Sequence, residues 1–328
     1  MTKALILAGG LGTRLRPLTF TRPKPLLPIA NRPHLEHVLD LLRRHGIDEV
    51  VLLTSYLAEA FHEVRAQAER RGMHVGVTHE PDPLGTGGAL KNAEELLGDE
   101  TFLAFNGDVI TDVDLGALLR FHAEHGAEAS MMLTPVEDPS NYGVVTTDDE
   151  GRVTDFVEKP PPDQAPTNLI NAGVYVIEPR MIERIPAGRP VSSEHEIFPL
   201  LVSAGSLFAT APRAYWNEIG DPAKYLRANL DALSGLFPLA ATEEMTETRV
   251  LAADGVVVAD DAQVSSCCLG RDVRIGDRAV VQDSVLLPGV QVDRDAVVER
   301  CVLGEGVVVG PNSALVGETL GDGERVGG

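Results

Sequence analysis

The opening segment of this 328-residue chain combines a glycine cluster with a concentration of positive charge. Gly9, Gly10 and Gly12 follow a short apolar run, and Arg14 and Lys24 come after them. Glycines allow backbone N–H groups to approach an anion closely, and arginine and lysine supply positive charge. The first 35 residues carry six basic side chains and no acidic one, although the formal net charge of the chain is −21. The segment therefore indicates a polyphosphate site.

The sequence of this segment differs from two better-known phosphate-binding motifs. Leu15 stands where the dinucleotide fingerprint needs its third glycine, and no Gly-Lys-Ser/Thr follows as a Walker motif requires. The alternatives to a phosphate site are that the glycines only form a tight turn after a strand, and that Arg14 and Lys24 are ordinary surface charges. The string GGLGTRLRPLT followed by RPKPLLPIAN is more specific, and it resembles the signature of the sugar-1-phosphate nucleotidyltransferases.

The composition indicates a globular protein of a reducing compartment. Hydrophobic residues make up 44% of the chain, yet no run approaches the ~20 apolar residues of a membrane helix. None of the three cysteines belongs to a Cys-x-x-Cys pair, which favours the cytosol and disfavours redox or metal chemistry. The negative charge disfavours nucleic acid. We expect a cytoplasmic protein with no membrane or nucleic-acid partner.

Residues 1–236 alternate between predicted strands and helices. Near-continuous apolar runs at 3–7, 49–54 and 101–106 are separated by segments of helical periodicity. This alternation predicts an α/β domain with a Rossmann-like, mostly parallel mixed sheet, in which ligands bind beyond the carboxyl ends of strands. Short strands and turn signals at 134–176 predict an antiparallel insertion at the rim of a site.

A linker is predicted at 237–250, and residues 251–328 then repeat an aliphatic residue at a six-residue period. Such a period predicts a short left-handed parallel β-helix of hexapeptide repeats, of about three to four coils; a valine-rich sandwich is the alternative. The register positions, with a one-residue slip before Val292 and a third run from Leu303, are Leu269, Ile275, Val281, Leu287, Val292, Val298, Leu303, Val309 and Leu315. All nine histidines lie at or before His195, so the tail lacks an acyltransferase histidine. We expect an assembly or regulatory module that makes the chain a homo-oligomer.

The family resemblance implies transfer of a nucleotidyl group from a nucleoside triphosphate to a sugar 1-phosphate, with release of pyrophosphate. Both substrates are anions, so positioning and charge stabilisation dominate such catalysis. The resemblance places Arg14 against the leaving pyrophosphate and Lys24 near the α-phosphate or the sugar phosphate. The nucleotide-binding loop that it implies comprises Leu7, Gly9, Gly10, Gly12, Thr13 and Arg14.

Two carboxylates are implied as ligands of a Mg²⁺ cofactor. Asp108 follows an apolar strand in FNGD and matches the family's Asn-Gly-Asp element; an Asx turn is the plainer alternative. Glu218, in YWNEIGD, stands where the family has a metal-binding aspartate. The longer side chain changes the reach of the carboxylate. Two alternatives therefore stay open: Asp221 compensates as a metal ligand, or the site prefers Mn²⁺.

The segment EPDPLGTGGALKNA, Glu80–Ala93, resembles the family's nucleobase loop. Its Pro-Leu-Gly-Thr sequence followed by small residues is typical of guanylyl members, so it favours GTP. A plain helix start at Gly87 and Gly88 is the alternative. The nucleotide contacts implied in this loop are Glu80, Pro83, Gly85 and Thr86.

The sugar phosphate is implied to bind at three further motifs that occur in the family's order. These are YG, EKP and NAG, and the glutamate and asparagine would bond sugar hydroxyls while the lysine would bind phosphate as a point charge. The residues concerned are Tyr142, Gly143, Glu158, Lys159, Asn171 and Gly173.

The order of domains and motifs is similar to that of mannose-1-phosphate guanylyltransferases. The expected reaction therefore converts GTP and mannose 1-phosphate into GDP-mannose and pyrophosphate. One alternative is a sibling enzyme that uses heptose or glucose 1-phosphate, or UTP or dTTP. Another is a non-catalytic subunit that senses a nucleotide sugar, which Glu218 favours and the presence of Arg14, Lys24 and Asp108 disfavours.

Overall fold

The computed structural model describes residues 2–55, 57–80, 82–238 and 245–327. These residues form two compact units. The first unit contains residues 2–10 and 35–216, and the second contains residues 11–34 together with the described residues from 217 onward. Residues 239–244 of the predicted linker lie outside the described part of the chain. In the described ranges, the helices are too short or too polar to cross a membrane.

The elements are numbered in chain order. The helices are α1 (His34–Arg44), α2 (His62–Arg70), α3 (Gly85–Asn92), α4 (Glu94–Leu97), α5 (Leu115–His125), α6 (Pro179–Glu183), α7 (Phe198–Ala204) and α8 (Pro222–Leu233). The strands as far as residue 218 are β1 (Ala4–Leu7), β2 (Pro28–Ile29), β3 (Arg32–Pro33), β4 (Glu49–Thr54), β5 (His74–His79), β6 (Phe102–Asn106), β7 (Val109–Thr111), β8 (Ala129–Pro135), β9 (Gly143–Thr147), β10 (Val153–Glu158), β11 (Leu169–Ile177), β12 (Leu207–Thr210) and β13 (Trp216–Glu218).

A nine-stranded mixed sheet is the centre of the first unit. Its order is β10-β9-β11-β6-β1-β4-β5, and β8 pairs with β11 and β12. β6, β1, β4 and β5 run parallel, and Ile6 of β1 pairs with Leu52 of β4 and Phe105 of β6. These apolar side chains are almost completely buried, as expected of a parallel sheet covered on both faces. The predicted α/β fold is confirmed, and the carboxyl ends of β1, β4 and β6 lie at one edge.

Two local predictions differ from the structure. The antiparallel strands of residues 129–177 are part of the main sheet rather than an insertion, because β11 pairs along β6. The helix start considered at Gly87 and Gly88 falls inside α3, which begins earlier, at Gly85. A break at Ala93, whose backbone (φ −94°, ψ 0°) leaves the α-helical region, separates α3 from α4.

The C-terminal strands form three parallel sheets of five, five and four strands. Cys268 pairs with Val285, and Val285 with Val302, so each coil takes 17 residues. The strands are β14 (Val250–Ala252), β15 (Val257–Val258), β16 (Gln263–Ser265), β17 (Cys267–Leu269), β18 (Arg274–Ile275), β19 (Val280–Gln282), β20 (Val285–Leu286), β21 (Gln291–Val292), β22 (Val297–Glu299), β23 (Val302–Leu303), β24 (Val308–Val309), β25 (Ala314–Val316), β26 (Thr319–Leu320) and β27 (Arg325–Val326). The predicted β-helix is confirmed, but the expected number of coils was too low. The reason is that β15 is exposed, so the first coil lacks the apolar period.

One predicted register position of the β-helix, Leu287, was wrong. Leu286, not Leu287, continues the interior column, since it pairs with Leu269 on one side and Leu303 on the other. The one-residue slip therefore falls before Leu286, between it and Val281. A coil of 17 residues is one short of three hexads, and this slip supplies the difference.

A buried polar cluster crosses the first unit beside α5. Nδ1 of His122 lies 2.9 Å from Oγ of Ser130, and Nε2 lies 3.1 Å from Oε1 of Glu178. Thr101 also donates to this glutamate oxygen, over 2.6 Å. Burial lowers the pKa of His122 below its usual 6.5, and this effect exceeds the opposing influence of Glu178. Because Ser130 is completely buried, the cluster supports the fold and is closed to a substrate.

This cluster predicts a loss of stability in mild acid. The unfolded chain binds a proton near the usual histidine pKa that folded His122 does not, so the free energy of unfolding falls as pH drops below about 6.5, by at most about 1.4 kcal/mol per pH unit. We expect His122→Gln to flatten this slope in urea unfolding between about pH 7.5 and 5.5, above the acidic range in which Glu178 titrates. His62→Gln, at an exposed position, is the control and should keep the wild-type slope.

Candidate active site

The start of the glycine loop is fixed at the carboxyl edge of the sheet. The N–H of Ala8 donates to the carbonyl of Leu53 over 2.8 Å, and the hydroxyl of Ser55 donates to the carbonyl of Gly9. Gly10 faces open space and is exposed. Ser55 was not identified from the sequence; its only signal is that it directly follows β4, the neighbour of β1.

Asp108 lies at the same edge as Leu7 because Gly107 allows a close approach. The N–H of Gly107 donates to the carbonyl of Leu7 over 3.0 Å. A Cβ atom on Gly107 would lie 2.3 Å from that oxygen, so a larger residue would push the two strand ends apart. The structure thus brings Leu7, Gly9 and the half-buried Asp108 together, as the sheet rule predicts.

The predicted nucleobase loop contacts the segment before α7. Gly85 has φ +72°, and a Cβ there would lie 2.6 Å from the carbonyl of Val191, so glycine is required. The hydroxyl of Thr86 donates to Oε2 of Glu194 over 2.7 Å and accepts from the N–H of Ser193 over 2.9 Å. The Thr86 side chain is therefore engaged within the protein, whereas Pro83 and Gly85 are exposed.

Glu194 was missed by sequence reasoning, although it fixes the predicted loop. It lies in a π-helical turn, Ser193–Ile197, and also accepts from the hydroxyl of Ser192 over 2.7 Å. Single π-helical turns are frequent at functional sites. No periodicity in SSEHEIF marks the turn, so only the fold reveals this partner of Thr86.

Glu80 is a buried carboxylate that is only partly hydrogen-bonded among the described residues. Its residue is 5% exposed, and Oε2 accepts a long, 3.3 Å hydrogen bond from the N–H of Leu84. Among the described residues, Oε1 has no hydrogen-bond partner. Burial raises the pKa of Glu80, and the Leu84 bond opposes this only in part. A buried acceptor of this kind is costly unless a donor pairs with it.

The asparagine-alanine-glycine motif forms a bulge in β11. The pairing of β11 with β8 shifts register between Asn171 and Tyr175, and bulges of this kind re-aim side chains beside sites. Nδ2 of Asn171 donates to the Tyr175 hydroxyl over 2.8 Å, and Oδ1 accepts from the N–H of Gly173 over 3.1 Å. Burial raises the pKa of Tyr175, so this phenol stays neutral.

The remaining predicted sugar residues lie on β9, on β10 and beside them. Glu158 pairs with Gly143 across these strands, and Nζ of Lys159 lies 3.2 Å from Oε1 of Glu158. The N–H of Lys159 donates to the carbonyl of Tyr142 over 2.9 Å. The ring of Tyr142 meets that of Trp216 edge-on at 5.9 Å. The structure therefore groups Tyr142 and Gly143 with Glu158 and Lys159.

Trp216 links this group to the bulge in β11. Its indole N–H donates to the carbonyl of Ala172 over 2.8 Å, while its ring contacts Tyr142. Ala172 lies between the two motif residues, Asn171 and Gly173. In the sequence Trp216 was considered only as part of YWNEIGD, and its contacts with Ala172 and Tyr142 were not predicted.

Arg14 and Glu218 meet in the second unit. Nη2 of Arg14 lies 3.2 Å from Oε1 of Glu218, and Nζ of Lys224 lies 3.1 Å from Oε2. The Glu218 side chain is 12% exposed and that of Arg14 is 63% exposed. A half-buried carboxylate thus lies between two cations, one of which is predicted to face the leaving pyrophosphate.

Other residues of the second unit hold these groups in place. Asp221 accepts from the N–H of Lys224 over 2.9 Å and caps α8. The hydroxyl of Thr19 donates to the carbonyl of Gly12 over 2.8 Å. Thr13 and Lys24 each begin a short 3₁₀ turn. Asp221 is thus occupied as a helix cap, which disfavours the alternative that it replaces Glu218.

The donors fit a magnesium ion that is shared with substrate phosphates. The described residues include no cluster of three or more histidine, cysteine, aspartate or glutamate side chains suited to a metal. Mg²⁺ usually takes one or two protein carboxylates and completes its coordination with phosphates and water. The half-buried Asp108 of the first unit meets this requirement, and the second unit contributes the carboxylate of Glu218, which lies near two cations.

Known protein families match both the α/β region and the hexapeptide region of the chain. Residues 3–235 match a family model described as nucleotidyl transferase. Residues 239–325 match a model described as the GlmU-like C-terminal hexapeptide. The first match covers most of the chain, and it includes every predicted site residue.

Curated relatives of this chain include proteins named as mannose-1-phosphate guanylyltransferases. The chain is 46% identical over 228 residues to a mannose-1-phosphate guanylyltransferase catalytic subunit beta from Danio rerio, a match that covers 68% of this chain and 62% of that protein. It is 39% identical over 290 residues to a mannose-1-phosphate guanylyltransferase from Mycobacterium tuberculosis, covering 86% and 80% of the two chains. The chain therefore spans less than two thirds of the zebrafish protein.

Among solved structures, HddC from Yersinia pseudotuberculosis complexed with GMP-PN is 30% identical, with a TM-score of 0.60 over 70% of this chain and 98% of that one. A putative glucose-1-phosphate thymidylyltransferase from Bacillus anthracis has a TM-score of 0.65 at 22% identity, covering 73% and 98%. This second likeness supports the fold alone.

Proposed function

Because this chain belongs to the nucleotidyl transferase family, we propose that it transfers a guanylyl group from GTP to mannose 1-phosphate and releases pyrophosphate. The Danio and Mycobacterium relatives carry that activity in their names. The observation that carries the choice of base is the buried Oε1 of Glu80, which has no hydrogen-bond partner in the described part of the chain. Guanine presents two adjacent donors on its base-pairing edge, its N1–H and its 2-amino group. Uracil and thymine present one donor between two carbonyls, so a carboxylate matches guanine better.

The reaction follows from the charges that the site residues carry. An oxygen of the sugar phosphate attacks the α-phosphorus, and the bond from that phosphorus to the bridging oxygen breaks as pyrophosphate leaves. Lys24 offsets the repulsion between the two phosphates, and Arg14 stabilises charge on the leaving group. Asp108 and Glu218 would hold Mg²⁺ or Mn²⁺, which when bound supplies further positive charge to the phosphates.

The sugar is held by the group around the β11 bulge. Glu158 accepts hydrogen bonds from sugar hydroxyls, the Asn171 amide exchanges hydrogen bonds with them, and Lys159 binds the sugar phosphate. Lys159 is exposed, although its Nζ lies 3.2 Å from Glu158. The sugar phosphate then replaces Glu158 as a partner of this cation, which leaves the Glu158 carboxylate available to the sugar.

A pyrophosphate-release assay tests both the reaction and the base. We expect wild-type protein with Mg²⁺ to prefer GTP with mannose 1-phosphate over pairs that contain UTP, dTTP, glucose 1-phosphate or heptose 1-phosphate. In Glu80→Gln, one carboxylate oxygen becomes an NH₂ donor, so kcat/KM for GTP should fall about 10- to 100-fold while that for UTP changes little. Equal loss with every triphosphate would remove Glu80 from base recognition. No release from any pair would favour a nucleotide-sugar-sensing subunit.

A further inference from the structure

The segment that carries Arg14 and Lys24 folds against the β-helix. Residues 11–34 belong to the same compact unit as the C-terminal coils. Nη2 of Arg22 lies 2.6 Å from Oε2 of Glu305 and 4.0 Å from Oδ2 of Asp322. Only Pro23 separates Arg22 from Lys24 in the chain, so this ion pair fixes the backbone next to the predicted catalytic lysine.

Glu305 of the fourth coil and Asp322 of the fifth coil both contact this segment. The hydroxyl of Thr21 donates to Oδ2 of Asp322 over 2.5 Å. Oδ1 of Asp322 accepts from the backbone N–H of Glu305 over 2.7 Å, which links the Asp322 carboxylate to the backbone of the adjacent coil. The Arg22 side chain is 19% exposed, whereas those of Asp322 and Glu305 are 23% and 53% exposed. The guanidinium is therefore shielded although Glu305 faces water, and it has two carboxylates nearby instead of the single partner of the usual surface pair.

The other end of the segment is also anchored. Nδ2 of Asn31 donates to the carbonyls of Leu251 and Leu269, over 3.1 and 2.9 Å, and so binds the first two coils. The Tyr225 hydroxyl donates to the carbonyl of Pro28 over 2.6 Å. By contrast, the backbone hydrogen bonds around Arg14 are short-range 3₁₀ contacts, such as that from Leu15 to Gly12. Such turns need outside support to keep one conformation.

The geometry points to a positioning role for the β-helix: Glu305 and Asp322 hold Arg22 and Thr21 so that Arg14 and Lys24 are presented in a fixed arrangement. This inference rests on the proposed function, because it concerns the two cations that the reaction uses. It adds a catalytic purpose to a module for which self-association was predicted. Since small displacements of a positioned charge reduce transition-state stabilisation, loss of the anchor should lower kcat more than it raises KM.

Two variants of Arg22 test the anchor, and a matched pair elsewhere on the β-helix serves as control. We expect Arg22→Gln to lower kcat about ten-fold or more, and Arg22→Lys to restore much of that loss, because lysine keeps the charge. The control is Arg278→Gln. Arg278 forms two 2.8 Å bonds with Asp295 of the next coil, on the β-helix alone. Its kcat should stay within about threefold of wild type.

Hydrogen exchange supplies a readout that does not depend on turnover. Amides of residues 11–27 should exchange faster in Arg22→Gln than in wild type, whereas those of residues 274–299 should not change. Binding of inorganic pyrophosphate with Mg²⁺ should weaken in the same variant. If wild-type protein releases no pyrophosphate from any substrate pair, the proposed function fails while these two measurements still judge the anchor. Unchanged exchange and kcat in Arg22→Gln, or an equal loss in Arg278→Gln, would overturn the inference.

Discussion

Replacing Lys24 or Arg14 by alanine is expected to lower kcat by roughly 10²- to 10³-fold, the scale seen when one donor that stabilises developing charge is removed. Both substrates are anionic, and both cations lie in a segment without acidic side chains. Arg14 is 63% exposed, and one of its nitrogens is engaged by Glu218. Because guanidinium carries five N–H donors, the others stay available to a phosphate.

The control for this prediction is Arg16→Ala, which removes the same charge from the same segment. The guanidinium of Arg16 lies over the ring of Phe20, 5.0 Å from its centre, and no motif places it on a substrate. We expect its kcat to stay within about threefold of wild type, because a single exposed charge contributes little. The measurement is steady-state pyrophosphate release under saturating substrates. Near wild-type turnover in Lys24→Ala or Arg14→Ala would contradict the assignment of that residue.

Much of the fold could be predicted because the parallel strands are apolar along their whole length. The runs that became β1, β4 and β6 were recognised, and the rule on carboxyl ends placed Gly9 and Asp108 at one edge. Ser55 could not be recognised in the same way. It gains its contact with Gly9 only because β4 pairs with β1, and strand order is set by long-range pairing that no local pattern encodes.

The register of the β-helix shows a second limit of sequence reasoning. Leu286 and Leu287 are adjacent leucines, and either one continues an aliphatic period with a single slip. Stacking decides between them, since Leu286 lies between Leu269 and Leu303 in the interior column. The six-residue period alone identifies a β-helix in the sequence. Which of two adjacent residues faces the interior depends on contacts between coils.

The site was predicted where motifs are contiguous and missed where the contact is long-range. The motifs that contain Glu80 and Asn171 were recognised from short strings of residues, whereas the bulge at Asn171 was not predicted. Glu194 and Arg22 were not, because their partners lie about a hundred residues or more away, at Thr86 and at Glu305. Such residues have no signature of their own, and only the folded chain shows that they hold the predicted ones.

Glu218→Gln is expected to lower activity by about 10²-fold or more and to raise the Mg²⁺ concentration needed for half-maximal rate. The amide cannot replace an anionic metal ligand, and it also loses the ion pairs of 3.2 Å to Arg14 and 3.1 Å to Lys224. Glu218→Asp keeps the charge and restores the side-chain length that the family shows, so its activity should be retained or raised. The measurement is pyrophosphate release titrated with Mg²⁺ and with Mn²⁺.

Two further variants separate metal binding from charge pairing at this carboxylate. Lys224→Gln removes one ion pair and leaves Glu218 intact, so its Mg²⁺ requirement should match that of wild type. Asp221→Asn keeps an oxygen that can cap α8, and it should leave that requirement unchanged as well. If Asp221→Asn raises the Mg²⁺ requirement and Glu218→Gln does not, the ligand is Asp221. If Glu218→Gln alters only KM for the triphosphate, the carboxylate serves to orient Arg14 instead of binding the ion.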